Sequence, residues 1–337
     1  MSLKLSILDQ SLINSGETAE QALRNTIEAA KLADDLGYHR FWVSEHHDSE
    51  QLAGSSPEVL ISYLAANTKR IRVGSGGVML QHYSPYKVAE NFSLLSALAP
   101  GRIDLGIGRA PGGLPNSTRA LQRGVTEPLS LNEKVAELEH YLQGTLPEDH
   151  PLAGIRVTPK PETPPELYLL GASVGSAELA AEAGRPYVFA LFINSDLAVA
   201  EQAIKTYRER FNTAKGTKPQ AILALSVIVA ETDSQAHELA EEFKNVKIRL
   251  ESGRTVTVGT LEQAAEFVRQ ADESYEIEVK DADITKGSKD TVRARLLELQ
   301  SRYEVEEIIV TTGIKDFGLR KRSIELLQEA FAPIRQA

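Results

Sequence analysis

Eight short apolar runs rich in β-forming residues punctuate the chain: LKLSIL (3–8), HRFWV (39–43), RIRVGSGGVML (70–80), RIDLGI (102–107), ELYLLG (166–171), YVFAL (187–191), ILALSVIVA (222–230) and EEIIVT (306–311). The segments between them space their apolar positions at helical intervals, so strand and helix alternate from end to end. Helix boundaries are also marked. Thr18 with Gln21 and Ser130 with Glu133 read as capping boxes, and Ser56-Pro57 and Ser84-Pro85 place a capping hydroxyl before a first-turn proline. Gly37, Gly101 and Gly184 fall where helices should stop. Eight strand–helix units without a composition break predict an α/β protein, a single (β/α)8 TIM barrel over residues 1–337. Such barrels need only ~250 residues. The surplus in this 337-residue chain falls in two insertions, about 112–165 after strand 4 and about 231–305 after strand 7. A doubly wound sheet is the alternative, but it calls for fewer parallel strands.

Composition removes several function classes. With 42% apolar and 25% charged residues the chain can bury a sizeable core, yet its longest apolar runs fall short of the ~20 residues of a spanning helix. The N-terminal MSLKLSILDQ runs straight into a strand with no secretory leader, so no membrane association is expected and a cytoplasmic location is. The absence of cysteine rules out disulfides, thiolate metal sites and a cysteine nucleophile, and it is compatible with a reducing cytosol. A net charge of −10 with no Lys/Arg block repels phosphate backbones, so no nucleic-acid partner is expected.

In a barrel the chemistry gathers where the strands end, and four strand exits are unusual. Glu45-His46-His47-Asp48 follows strand 2, Gly74-Ser75-Gly76-Gly77 lies in strand 3, Gly106-Ile107-Gly108-Arg109 closes strand 4, and Gly171-Ala172-Ser173-Val174-Gly175-Ser176 follows strand 5. The last opens a helix, so its backbone N–H groups and two hydroxyls form a ready anion site that a phosphate suits, with Arg109 as a forked counter-charge. Alternatively, Ser173 is only an N-cap and Arg109 only a surface ion-pair partner. GASVG also fits the G-x-S-x-G nucleophile elbow, which makes a serine hydrolase using Ser173 a competing reading. That reading needs a later histidine in a loop, and His237, in the charged helical segment QAHELAEEF, is the only one available. Adjacent histidines near a strand end point to different sides and lack a companion cluster, so no metal is expected. One of the pair suits proton transfer or hydrogen bonding at a pocket rim, and a purely structural histidine remains open. Gly76 and Gly77 interrupt a central strand either for a flat ligand or to give interior side chains room. Gly106-x-Gly108 is not followed by a helix, which excludes a Rossmann site.

These residues carry a pattern that resembles the bacterial luciferase-like flavin monooxygenase family, in particular its single-chain members of unassigned substrate. The matching stretches are FWVSEHH (41–47), SSPEVLISYLAANTKRIRVGSGGVML (55–80), SPYKVAENFSLLSALAPGRIDLGIGRAPGG (84–113) and LYLLGASVGSAELAAEAGRPY (167–187). Beyond about residue 190 only the barrel rhythm matches. The resemblance implies FMN at the strand-exit rim, with Ser173, Gly175, Ser176 and Arg109 around its phosphate. Gly76-Gly77 matches the position of a non-proline cis peptide under the flavin ring, and His46 matches the catalytic histidine of the Glu-His-His motif. It also implies the reaction: reduced FMN, supplied by a separate reductase, reacts with molecular oxygen to a flavin hydroperoxide that oxidises a small organic substrate. A homodimer formed through the helices near strands 2 and 3 is implied as well. The 231–305 segment, with Gly253, Gly259 and Gly287, could supply a lid. Gln81-His82-Tyr83 departs from luciferase itself, so no substrate contacts are transferred there. A deazaflavin-dependent oxidoreductase of the same fold is the nearest alternative.

Overall fold

The computed structural model describes residues 3–215, 218–253, 255–271 and 273–332. Seven parallel strands come first: β1 (Lys4–Asp9), β2 (Arg40–Val43), β3 (Arg72–Met79), β4 (Ile103–Gly108), β5 (Glu166–Gly171), β6 (Tyr187–Ala190) and β7 (Ala221–Val229). After β8 (Lys244–Leu250), β9 (Thr255–Val258), β10 (Tyr275–Asp281) and β11 (Thr285–Gly287), the eighth barrel strand is β12 (Glu307–Thr311). It pairs with β1 on one side and β7 on the other, while β6 pairs with β7, so the expected eight-stranded barrel is closed. The helices around it include α1 (Ala19–Leu36), α2 (Pro57–Asn67), α3 (Pro85–Leu98), α4 (Pro115–Leu121), α5 (Leu131–Gln143), α6 (Val174–Ala183), α7 (Leu197–Arg210), α8 (Asp233–Ala240), α9 (Leu261–Gln270), α10 (Lys289–Tyr303) and α11 (Phe317–Phe331). No helix among the described residues is long and apolar enough to cross a membrane.

Strand residues divide by alternation. Ile7, Phe41, Leu169, Phe189, Leu223 and Ile308 belong to the core under the helices, whereas their neighbours Leu8, Trp42, Tyr168, Val188, Ile222, Ala224 and Ile309 form a second cluster inside the barrel. β3 and β4 place no side chains in this inner cluster because Gly74, Gly76 and Gly106 stand there. A Cβ on Gly74 would lie 2.9 Å from Trp42 Nε1, and one on Gly76 2.7 Å from Leu8 Cδ1. The Trp42 indole fills the vacated space.

Below it, at the N-terminal end, lies a polar layer. Arg40 is 2% exposed and grips Glu307 with two donors (2.7 and 3.1 Å) and Asp104 with a third (2.7 Å). Ser6 donates to Glu307 (2.6 Å), and Trp42 Nε1 and Arg72 Nε donate to Asp104 (each 2.9 Å). Every charge there is paired and hydrogen-bonded, which makes its burial tolerable.

Helix-end chemistry follows the sequence in part. Ser130 and Glu133 form the reciprocal capping box, and Gly37 and Gly184 close helices in the left-handed conformation (φ 81° and 61°). Gly101 (φ 74°) lies in the turn after α3. At Thr18 only half the box forms, because Gln21 turns its amide to Asn25 instead. Ser56 and Ser84 precede the predicted prolines, but their side chains make no capping bond; proline's fixed φ sets the first turn without them. The first insertion holds α4 and α5. The second holds α8, an antiparallel β10–β8–β9 sheet backed by α9, and β11, which pairs with the end of β7 beyond the reach of β12.

Candidate functional site

At the end of β2 the chain turns sharply and fans out four polar side chains. His46 donates its backbone N–H to Gly54 O (2.8 Å) and His47 to Gly112 O (2.7 Å), which fixes the turn from both sides. The two imidazoles part company. His47 Nε2 lies 2.8 Å from Glu45 Oε1, and that fully buried carboxylate also accepts from Tyr83 OH (2.8 Å) and from Met79 N–H (3.1 Å). His47 is thus a structural histidine. Gly112 (φ 66°) and Gly113 permit this close approach, since a Cβ on Gly113 would stand 2.6 Å from His47 O. His46 meets only Ser44 Oγ, 3.0 Å from Nδ1, and its Nε2 has no partner among the described residues.

Burial, reinforced by the neighbouring His47, pushes the His46 pKa down to about 4, and Glu45 offsets this only in part. The folded protein therefore holds His46 neutral at pH 7. Its unfolded counterpart takes a proton near 6.5, so His46 contributes nothing to the pH dependence of stability above that. It destabilises the fold progressively as pH falls from about 6.5 to about 4, by at most about 3 kcal/mol and by less where the barrel mouth is wet. Urea midpoints of wild type and His46→Gln from pH 7.5 to 4.5 should diverge on the acid side; parallel curves would refute the depressed pKa.

Beside this turn, the Gly76–Gly77 peptide is cis, as the resemblance implies. Gly77 presses on β4, where a Cβ would stand 2.7 Å from Gly106 O and 2.9 Å from Gly108 N, while Gly76 is partly open to the mouth. Gly76 rests on Trp42 and Leu8, so the glycines do give interior side chains room.

Opposite, Ser173 and Ser176 cap α6 reciprocally: Ser173 Oγ accepts from Ser176 N–H (3.3 Å), and Ser176 Oγ accepts from Ser173 N–H (3.2 Å). Ser176 Oγ is also 2.7 Å from Ser173 O and 2.8 Å from Tyr187 OH. The N–H groups of Val174 and Gly175 have no partner among the described residues, and a Cβ on Gly175 would meet open space. Arg109, at the exit of the adjacent β4, is exposed, with neither ion pair nor hydrogen bond among the described residues. Its charge is felt at Tyr187, whose hydroxyl burial pushes up to about 12 against the opposing pull of Ser176, Ser173 and Arg109. Arg109, Ser173, Gly175 and Ser176 therefore converge. Ser173 has ordinary extended backbone (φ −153°, ψ 162°) and no histidine or carboxylate among its hydrogen-bond partners, so it is an N-cap rather than a strained, activated nucleophile.

Three supports of this mouth were not visible in the sequence. Asn194 Nδ2 ties the β6 exit to Ala172 O (3.0 Å). Lys134 of α5, nearly buried, donates to the carbonyls of Leu80, Gln81 and Tyr83 (3.3, 2.9 and 2.9 Å), holding the β3 exit. The two insertions brace each other through Asn116 and Arg119 to Gln270, and α9 reaches the β2 exit through Gln263 to Gln51 (2.9 Å). Among the described residues no group of three or more His, Asp or Glu could hold a metal. A cavity of 490 Å³ opens at the opposite end of the barrel beside Lys4, His39, Arg70 and Arg72, but Arg72 is committed to Asp104 and Glu166.

A family model described as luciferase-like monooxygenase matches residues 3–303. The chain belongs to this family. An N-acetyl-S-alkylcysteine monooxygenase of Bacillus subtilis (strain 168) is 44% identical over 97% of this chain and 98% of its own length. A luciferase-like monooxygenase of Escherichia coli (strain K12) is 34% identical over 97% and 96%. Among solved structures, apo-MsnO8 superposes with a TM-score of 0.79 at 37% identity, covering 98% of each chain. The oxygenating constituent of 3,6-diketocamphane monooxygenase, solved with FMN, shares the fold (TM-score 0.72, 21% identity, 98% of each chain). As a luciferase-like monooxygenase, the chain is a flavin-type oxidoreductase with a small-molecule substrate.

Proposed function

We propose that the chain is an FMN-dependent monooxygenase. When bound in reduced form, FMN would supply the activation of molecular oxygen and the transfer of one oxygen atom to a small organic substrate, with water as the other product. One observation carries this reading: a guanidinium and two helix-start N–H groups, all without a partner among the described residues, stand on one side of a glycine-floored mouth, and a histidine nitrogen equally without one stands on the other. The donor set suits a phosphate, held by Arg109, by the N–H groups of Val174 and Gly175, and by Ser173 Oγ. Ser176, whose hydroxyl is occupied by Ser173 and Tyr187, would keep that cradle in shape. Gly76 and Gly77 would accept the flat ring because nothing projects from them, and His46 would face the reacting edge. The insertions would exclude water, which otherwise diverts the reaction to hydrogen peroxide.

The name of the Bacillus subtilis relative makes an N-acylated S-alkylcysteine thioether the first compound to test. The expected result is oxygen-dependent formation of its oxygenated product in the presence of FMN and an added flavin reductase, detected by mass spectrometry. Turnover with reduced deazaflavin but not with FMN would replace this reading with its hydride-transfer neighbour, and labelling of Ser173 by a fluorophosphonate would replace it with a hydrolase. Arg109→Ala is expected to weaken FMN by about 1.5–3 kcal/mol, the range for a lost hydrogen bond to a charged group. An unchanged dissociation constant from flavin fluorescence would move the phosphate elsewhere.

The reading includes a homodimer and a cytoplasmic location. Val59 (69% exposed) and Tyr63 on α2 with Leu94 and Leu98 (67%) on α3 form an apolar strip suited to a second copy. Val59→Glu with Leu98→Glu should convert the dimer to monomer in sedimentation; a monomeric wild type would remove this part.

A further inference from the structure

The two nitrogens of the His46 ring are unlike: Ser44 Oγ lies 3.0 Å from Nδ1, and Nε2 is without a partner among the described residues. Ser44 is nearly buried, its own N–H is bonded to Asp9 O (3.1 Å), and its hydroxyl has no partner other than His46 among the described residues. A buried hydroxyl that donates to nothing loses a hydrogen bond without compensation. The one hydrogen-bond partner it has among the described residues is Nδ1, whose lone pair can accept from it. If Nδ1 instead carried the proton, Ser44 would accept and its own O–H would be stranded. Nor can a carboxylate reverse the preference, because the oxygens of Glu45 are already occupied by His47, Tyr83 and the Met79 N–H.

We propose that Ser44 is a positioning residue that fixes neutral His46 as its Nε2–H tautomer, so that the ring presents a hydrogen-bond donor, not a lone pair, to the barrel mouth. The proposal rests on the reading of His46 as the functional histidine of the mouth. It makes His46 a group that stabilises negative charge on oxygen rather than one that abstracts a proton from substrate. The ring nitrogens are distinct, and the hydrogen bond at one sets the role of the other.

The test is made on ligand-free protein carrying ¹⁵N-histidine, with His46 assigned by the signal lost in His46→Gln. At pH 7 the His46 Nε2 should resonate as protonated and Nδ1 as unprotonated. In Ser44→Ala both shifts should move toward those of a tautomer mixture, and Ser44→Thr, which retains the hydroxyl, should restore them. A wild-type ring with its proton on Nδ1, or a Ser44→Ala ring with unchanged shifts, would overturn the proposal. The wild-type measurement decides even if the alanine variant does not fold. In turnover, Ser44→Ala should lower kcat roughly 5- to 10-fold, the worth of one hydrogen bond, with KM unchanged. Correct ¹⁵N shifts together with turnover on reduced deazaflavin but not on FMN would sink the proposed function and leave the tautomer standing.

Discussion

Replacing His46 with alanine is expected to lower formation of the oxygenated product by roughly 10²–10³-fold, the loss measured when a single donor aimed at a developing oxyanion is removed. Binding of FMN should stay close to that of the wild type, because His46 lies across the mouth from Arg109 and the start of α6, where the phosphate is expected. Oxygen consumption should therefore persist and be redirected to hydrogen peroxide. The measurement is a paired assay of product and peroxide at saturating reduced FMN. Near-normal product from His46→Ala would remove the histidine from the chemistry. His47→Ala has a different expected signature, since its ring fills the socket made by Glu45, Tyr83 and Gly112–Gly113, and its loss should appear as local instability before it appears as a change in partition.

The second large effect lies at the other end of the barrel. Arg40→Met should destabilise the fold by about 3–5 kcal/mol, because truncating one partner of a buried ion pair leaves the others charged and unpaired. Asp104 would keep Arg72 and Trp42, but Glu307 would be left with Ser6 and a distant His39 (3.9 Å). Against a typical total stability of about 5–15 kcal/mol this is a large fraction, readable as a shift of the urea midpoint at constant m. A loss below ~1 kcal/mol would show that the layer is dispensable.

The barrel was legible because its physics is local and repetitive. A parallel strand buried on both faces must be apolar along nearly its whole length, as YVFA and, but for Ser226, AILALSVIV are, and the helix between two such strands carries its own stop in Gly37 or Gly184. The strand exits were legible for the same reason, since Arg109, His46 and the Gly/Ser turn each fall within three residues of the end of an apolar run. What the pattern could not reveal was pairing over long separations. Nothing local to Arg40 says that it meets Glu307 across 267 positions, or that Lys134 caps the carbonyls at 80–83 from within an insertion. Ser44 passed unnoticed because a single hydroxyl at the end of a strand carries no periodic signal. The capping serines at 56 and 84 failed because the sequence marks a helix start without showing whether proline alone sets it.

The chain has one tryptophan, and it stands at the base of the mouth. Trp42 packs against Gly76 from beneath and is anchored by its indole N–H to Asp104. No second indole contributes background emission, so fluorescence of the intact, unlabelled protein, excited at the long-wavelength edge where its ten tyrosines do not absorb, comes from a single fixed reporter directly under the place where a coloured guest would settle. Quenching of that emission would count occupied molecules in real time.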